Sequence, residues 1–134
     1  MKNHWLYVLL MLGLSCQTGD TSYPKAENAL DAGREFIDAC LKGDFKKANR
    51  YMIDDAENKL FLKKITLAYQ HKNAREKKEF HDASINISEV QELDDSTSII
   101  SYKNSFDNIM RKLKVKKTKG DWLVDFKYTF SGNL

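Results

Sequence analysis

The sequence has few cysteines, little excess charge and no long apolar run, and each of these shortages excludes a class of protein. Two cysteines allow one disulfide at most, so the chain is not a disulfide-rich domain. A chain of 134 residues can bury a hydrophobic core without disulfide bonds. The net charge of +3 at pH 7 is too small for a nucleic-acid-binding surface, so we expect no nucleic-acid partner. The longest apolar run, from Trp5 to Leu14, is too short to cross a bilayer as a helix.

Motifs for phosphate binding and metal-dependent catalysis are also missing. The sequence contains no Gly-rich phosphate loop, no paired metal-ligand spacing and no His-Glu-x-x-His motif. His71 and His81 fall on or just beyond the charged end of a predicted helix, where surface histidines are commoner than metal ligands. We therefore expect no metal, no cofactor and no catalytic residue.

The N-terminal segment, residues 1–16, resembles the signal sequence of a bacterial lipoprotein. Lys2 supplies a positive start, the apolar run follows, and the small Ser15 stands directly before Cys16. The string Leu-Gly-Leu-Ser-Cys resembles a lipobox, although Gly13 occupies a position that is usually leucine. We predict a signal peptide over residues 1–15 and lipid on Cys16. The alternative is an ordinary secretory signal that is cleaved nearby, with Cys16 incidental.

This interpretation places the protein in the bacterial cell envelope, exported from the cytoplasm and held on a membrane by lipid. Because Gln17, not aspartate, follows the cysteine, an outer-membrane location is favoured. Residues 16–23 are short and polar and predict a tether, and residues 24–134 form the domain. Cys40 lies on the apolar stripe of a predicted helix and is expected to be a buried free thiol.

Apolar residues at three- and four-residue spacing predict three helices in the first half of the domain. The first helix ends at Gly43, and Asp44 caps a short second helix. Asp54 and Glu57 have the spacing of a capping box that begins the third helix. Beyond His71 the segment is charged on all sides, and we expect it to project into solvent or to fray.

From Ser84 the apolar period changes to two, which predicts antiparallel strands. Val90 is out of phase with Ile85 and Ile87, so that strand either has a bulge or is apolar on both faces. Three helices followed by four antiparallel strands define the α+β class. The shared stripes and strand phase predict one core, formed by Phe36, Ile37, Cys40, Phe61, Ile65, Trp122, Val124 and Phe126.

The last hairpin is the most clearly patterned element. A two-residue turn at Lys119-Gly120 would pair Thr118 with Asp121, and Val115 would then lie opposite Val124. The strand is expected to continue to Phe130. Within the same register Leu113 lies opposite Phe126, Arg111 opposite Tyr128, and Lys114 opposite Asp125.

The helix-break run Leu41-Lys42-Gly43-Asp44-Phe45, with Ala48 one turn later, and the closing Lys-Gly-Asp-Trp hairpin resemble nuclear transport factor 2-like domains. The nearest resemblance is to small bacterial lipoproteins of an uncharacterised branch once labelled lumazine-binding-like. The resemblance implies three helices packed on a curved four-stranded sheet, a pocket between them, and a homodimer formed through the sheet. It implies no reaction, since this fold hosts enzymes, scaffolds and binding modules alike.

The resemblance also implies which residues line the pocket: Phe61, Tyr69, Tyr102, Trp122, Phe126 and Tyr128. Enzymes of the superfamily place an acid or base and a tyrosine inside the cone, and the counterparts here would be Asp125, Asp107, Tyr102, Tyr128 and Tyr69. Asp125 is more simply an ion pair with Lys114 or another strand lysine outside the cone, and Asp107 fits a turn.

Three functions remain open at this point. The first is a non-enzymatic, membrane-tethered domain that binds a small ligand or an envelope protein. The second is an isomerase or hydro-lyase that uses a Tyr/Asp pair inside the cone, and the third is a purely structural lipoprotein. The basic cluster from Arg111 to Lys119 could bind anions, but such residues more often form a solvated face that guards a strand against edge pairing.

Overall fold

A computed structural model describes residues 23–132 of the protein, and the α+β order expected from the sequence holds there. The helices are α1 (Ala29–Lys42), α2 (Phe45–Arg50), α3 (Ala56–Gln70) and α4 (Ala74–His81). The strands are β1 (Ile85–Asp94), β2 (Thr97–Asn104), β3 (Arg111–Thr118) and β4 (Asp121–Asp125), followed by a 3-10 helix, η1 (Phe126–Phe130). They form one antiparallel sheet in the order β1-β2-β3-β4.

The predicted signal peptide, Cys16 and all of the tether except Tyr23 lie outside the described residues. Within residues 23–132, no helix combines the length and the apolar character needed to cross a membrane.

The helix boundaries follow the caps that the sequence supplies. Gly43 ends α1 in the left-handed conformation, with φ 70°, and the Asp44 carboxylate accepts the backbone N–H of Lys47 at the start of α2. The start of α3 was predicted one residue too early. Asp55, not Asp54, is its N-cap, and its carboxylate accepts the backbone N–H of Asn58 at 2.8 Å.

A fourth helix corrects the expectation of three, because the charged segment after His71 is ordered as α4. Asn73 accepts the backbone N–H of Glu76, whose carboxylate accepts the backbone N–H of Asn73 in return, which completes a capping box. Phe80 then packs edge-on against Phe106, with ring centroids 4.7 Å apart. The two bonds of the capping box and one aromatic side chain, Phe80, hold this otherwise charged helix in place.

The sheet confirms the bulge that was one of two explanations for Val90. The pairing of β1 with β2 shifts between Ile87 and Glu89, which brings Val90 opposite Ile100. The last hairpin has the predicted register: Thr118 pairs with Asp121, and Val115 with Val124. Its turn residues both have positive φ, 52° at Lys119 and 83° at Gly120, as a tight hairpin turn requires.

The prediction that the last strand runs to Phe130 is wrong, since β4 ends at Asp125. The pairings of Leu113 with Phe126 and of Arg111 with Tyr128 therefore do not form. The chain turns into η1, and Phe130 stacks on Phe61 of α3 with ring centroids 4.4 Å apart. The C-terminal aromatic residues thus face α3 and do not extend the sheet.

A buried polar cluster explains where the strand ends. Asn58, which is fully buried, donates its side-chain N–H to Asp125 at 3.1 Å and accepts the backbone N–H of Lys127 at 2.7 Å. The Lys127 ammonium also pairs with Asp125 and with Asp55. These bonds satisfy buried polar groups on both sides of the turn and join the start of α3 to the end of the sheet.

The core lies between α1 and the sheet and contains half of the eight predicted residues, and Cys40 is only partly buried, contrary to the expectation of a buried thiol. Phe36, Ile37, Val124 and Phe126 are buried in it. The other four predicted core residues, Cys40, Phe61, Ile65 and Trp122, are partly buried and pack against it.

Candidate functional site: a pocket between the helices and the sheet

A pocket of about 330 Å³, partly open to solvent, lies where the helices meet one end of the sheet. Its apolar wall comes from all four helices, from the loop after β2 and from η1. The wall residues are Phe36, Ile37, Leu41, Phe45, Ile65, Ala68, Phe80, Phe106, Phe126 and Phe130. The polar or ionisable groups in the lining are Cys40, Tyr69, Lys72, Tyr102, Asn104, Asp107 and Arg111.

Gly43 determines how close Tyr69 comes to the junction of α1 and α2. A Cβ atom at this position would lie 2.5 Å from the Tyr69 ring, and the φ of 70° disfavours any other residue. The Tyr69 ring also meets Phe45 edge-on, with centroids 5.5 Å apart. The helix-break glycine in the sequence therefore also makes room for one wall of the pocket.

A bidentate ion pair forms the most polar part of the pocket. The Arg111 guanidinium donates to both carboxylate oxygens of Asp107, at 3.0 and 2.7 Å. The side-chain oxygen of Asn104 accepts the backbone N–H groups of Phe106 and Asp107, which fixes the loop that carries the carboxylate. The hydrogen bonds from Arg111 lower the pKa of Asp107, so the carboxylate is ionised at neutral pH.

Two further ionisable groups in the pocket are kept neutral by their surroundings. Burial raises the pKa of the Tyr102 hydroxyl above its ordinary value, and it does the same for the Cys40 thiol. Cys40 is partly exposed, and it lines the pocket as well as packing on the core. A thiol with a raised pKa forms little thiolate, the nucleophilic form, at neutral pH.

Lys72 places a positive charge beside the aromatic wall. Its ammonium lies over the rings of Phe80 and Phe106, at 4.8 and 5.2 Å from their centroids. Residues 23–132 provide it with no carboxylate partner. Since Asp107 neutralises Arg111, Lys72 carries the uncompensated charge of the pocket lining.

Three of the six predicted lining residues, Tyr69, Tyr102 and Phe126, do line the pocket. The other three, Phe61, Trp122 and Tyr128, are not among the residues of its lining.

Each of these three packs elsewhere. Phe61 lies behind Phe130 as its stacking partner. The Lys117 ammonium approaches the Trp122 ring at 5.9 Å, and the Lys114 ammonium approaches the Tyr128 ring at 5.5 Å. Both aromatic rings are therefore covered by lysines of β3.

Sequence reasoning missed two of the three charged residues of the site, Lys72 and Arg111, and named only Asp107. Arg111 was grouped with the lysines of β3 as part of a solvated face, yet it turns toward Asp107. An available signal was the four-residue separation of Asp107 and Arg111 across a predicted turn. Lys72 and Phe80 gave no comparable signal, because their place in the site depends on α4.

Asp125 lies outside the pocket, as predicted, but its surroundings differ from the prediction. Its backbone pairs with Lys114 in the sheet, whereas its carboxylate is buried and pairs with the Lys127 ammonium at 2.5 Å. Lys127 belongs to η1 and not to a strand. The carboxylate is therefore part of the cluster that ends β4.

The described part of the chain contains no group of three or more histidine, cysteine, aspartate or glutamate residues that could hold a metal ion. His71 and His81 are both exposed, and His81 contacts Asp82 at 3.2 Å.

Comparison of the structure with solved proteins gives seven matching chains. One is the crystal structure of an NTF-2 like protein of unknown function from Shewanella oneidensis MR-1. The TM-score is 0.51 at 13% sequence identity, and the match covers 71% of this chain and 89% of that chain. The described domain has a nuclear transport factor 2-like fold.

This likeness concerns the fold alone, because the sequence identity is low. No protein-family model matches the chain, and a comparison with curated proteins gives no match. The nuclear transport factor 2-like fold places a helical layer against an antiparallel sheet, and the pocket described above lies between these two layers.

Proposed function

We propose that the protein is a lipid-anchored domain of the bacterial envelope that binds a small, largely apolar ligand and catalyses no reaction. The observation that carries the binding function is the pocket itself. Its volume of about 330 Å³ lies in the range of small-molecule sites, and its wall is mostly aromatic and aliphatic. A few polar groups at one side are the usual means of orienting a ligand in such a site.

The acids near the pocket are poorly suited to catalysis. A general acid must hold its proton near working pH, whereas Arg111 lowers the pKa of Asp107. Asp125 lies outside the pocket and pairs with Lys127. These two contacts favour binding over acid-base chemistry.

A second candidate function is an isomerase or hydro-lyase, and one observation favours it. Tyr102 and Asp107 line the same pocket, as a Tyr/Asp pair inside the cone would require. Tyr102 stays protonated and can donate a hydrogen bond, and ionised Asp107 could accept a proton. Asp107 is a weak base, however, while both of its oxygens accept hydrogen bonds from Arg111.

Partly filling the pocket should weaken ligand binding without unfolding the domain. Ala68 lines the pocket from α3 and is exposed, so a larger side chain there has room on the solvent side. We expect the full chain to bind naphthalene, a neutral fluorescent probe of roughly the right size, and Ala68→Trp to weaken binding at least about tenfold. Fluorescence titration of each variant measures this change.

Leu67→Trp is the matched control, because Leu67 is the neighbouring residue on α3 and is exposed without lining the pocket. It should bind the probe as the unaltered chain does. Equal binding by both tryptophan variants would show that the probe binds elsewhere and would remove the support for a ligand pocket.

The membrane tether follows from the apolar run that ends in Ser15-Cys16, before the described residues. We expect Cys16→Ser to abolish metabolic lipid labelling and to release the protein from the membrane fraction. The reason is that the predicted lipid is attached through the sulfur of the cysteine side chain, which serine lacks. Cys40→Ser is the control and should remain labelled. Unchanged labelling and fractionation of Cys16→Ser would end the lipoprotein interpretation.

Protein partners are a separate part of the proposal. A homodimer formed through the sheet stays a prediction, as does a complex with another envelope protein. The open edge of the sheet is β1, whose residues Val90 and Leu93 are exposed, whereas β4 is bonded on its outer side to Tyr51 and Ile53.

A further inference from the structure

The distribution of charge in the pocket identifies the chemical class of its ligand, if the pocket binds a small molecule as proposed above. We propose that the ligand is an apolar molecule with a single carboxylate, and that Lys72 binds this carboxylate. Three observations carry the inference: the size of the pocket, the pairing of Arg111, and the position of Lys72.

Size limits the ligand to a small molecule. One water molecule, which has a single non-hydrogen atom, takes up about 30 Å³ in the liquid. At that volume for each non-hydrogen atom, a pocket of about 330 Å³ holds roughly ten of them. The buried floor is formed by Phe36, Leu41 and Phe126, so this part of the pocket favours an apolar body.

The charge of Arg111 is already paired with that of Asp107, which argues against a doubly charged anion as the ligand. Its guanidinium donates two bonds to Asp107 and one to the backbone carbonyl of Ile109 at 3.2 Å. A phosphate monoester carries nearly two negative charges at pH 7, whereas Asp107 already compensates the charge of Arg111 and leaves Lys72 as the remaining cation of the lining. One uncompensated positive charge matches one negative charge on the ligand.

Lys72 supplies that charge at the aromatic wall. Lys72 lies in the connection between α3 and α4 and is partly buried, and its ammonium lies over Phe80 and Phe106, which themselves line the pocket. No described carboxylate competes for it. A carboxylate placed beside these rings could accept a charge-assisted hydrogen bond from the ammonium in a partly desolvated setting, where such bonds are strongest.

Two pairs of probes of equal shape test the inference: naphthoate against naphthamide, and decanoate against decanamide. Each pair differs only in the head group, which is an ionised carboxylate in one member and a neutral amide of the same shape in the other. We expect calorimetric titration of the full chain to show at least one carboxylate binding about tenfold more tightly than its amide. A tenfold difference in affinity is the size of effect that a hydrogen bond to a charged group contributes. In Lys72→Gln this preference should fall below about threefold, and Lys72→Arg should restore it.

Lys77→Gln is the matched control, because the Lys77 ammonium lies 5.4 Å from the centroid of the Tyr69 ring but the residue does not line the pocket. Its carboxylate preference should equal that of the unaltered chain. Equal binding of acid and amide by the unaltered chain would overturn the inference and leave the ligand pocket in place. A preference that survives in Lys72→Gln would overturn the role of Lys72, and no binding of any probe would overturn both proposals.

Discussion

Replacing Phe126 with alanine should destabilise the domain by about 3–5 kcal/mol, the range for removing a large aromatic side chain from a core. Phe126 is 5% exposed and meets Phe36 and Phe130 edge-on, with ring centroids 4.9 and 5.0 Å apart. The substitution removes these contacts, and the neighbouring rings can fill the resulting cavity only partly. Equilibrium urea denaturation of the full chain measures the change in the free energy of unfolding.

Phe130→Ala is the control for this measurement. Phe130 lies on the same 3-10 helix but is 48% exposed, so its loss should cost clearly less. A loss below about 1 kcal/mol for Phe126→Ala would contradict the packing of the C-terminal segment on α1.

Replacing Asn58 with alanine should cost about 2–4 kcal/mol, although the residue is polar and lies on a helix. Its side chain accepts the backbone N–H of Lys127 and donates to Asp125, Asp55 and the carbonyl of Ile53. After the substitution the backbone N–H of Lys127 has lost its acceptor, and the Asp125 carboxylate has lost one of its donors. A buried polar group without a partner costs more than the bond itself contributed.

Asn49→Ala provides the comparison, since Asn49 is exposed on α2. Its effect on the free energy of unfolding should stay within about 0.5 kcal/mol. If the two alanine variants had equal stability, the Asn58 cluster would not be what joins α3 to the end of β4.

Local signals in the sequence were sufficient for most of the fold. Gly43 and Asp44 fixed the break between the first two helices, because a left-handed cap and a side-chain N-cap are decided by a few neighbouring residues. The Lys119-Gly120 turn fixed the register of the last hairpin for the same reason. The phase change at Val90 indicated either a bulge or a strand that is apolar on both faces, because side chains alternate along a strand, and the bulge is what the sheet has.

Local signals failed where a distant residue decides the conformation. The alternating pattern of residues 122–130 predicts one long strand, but the bonds of Asn58 to Asp125 and Lys127, nearly seventy residues away along the chain, end it at Asp125. The charged segment of α4 has no apolar stripe, and its place in the fold depends on the contact of Phe80 with Phe106. Neither partner could be recognised from the neighbouring sequence.

The pocket shows the same division. By itself, the sequence determined the α+β class, most of the caps and turns and much of the core, because periodicity assigns apolar residues to the inner face of their element. The resemblance to nuclear transport factor 2-like domains added three residues of the pocket lining, Tyr69, Tyr102 and Phe126. Only the tertiary structure decided how the charged groups of the pocket are arranged. Lys72, Asp107 and Arg111 come from two connections and the start of a strand, and they lie around one pocket because α4 folds back over the end of the sheet.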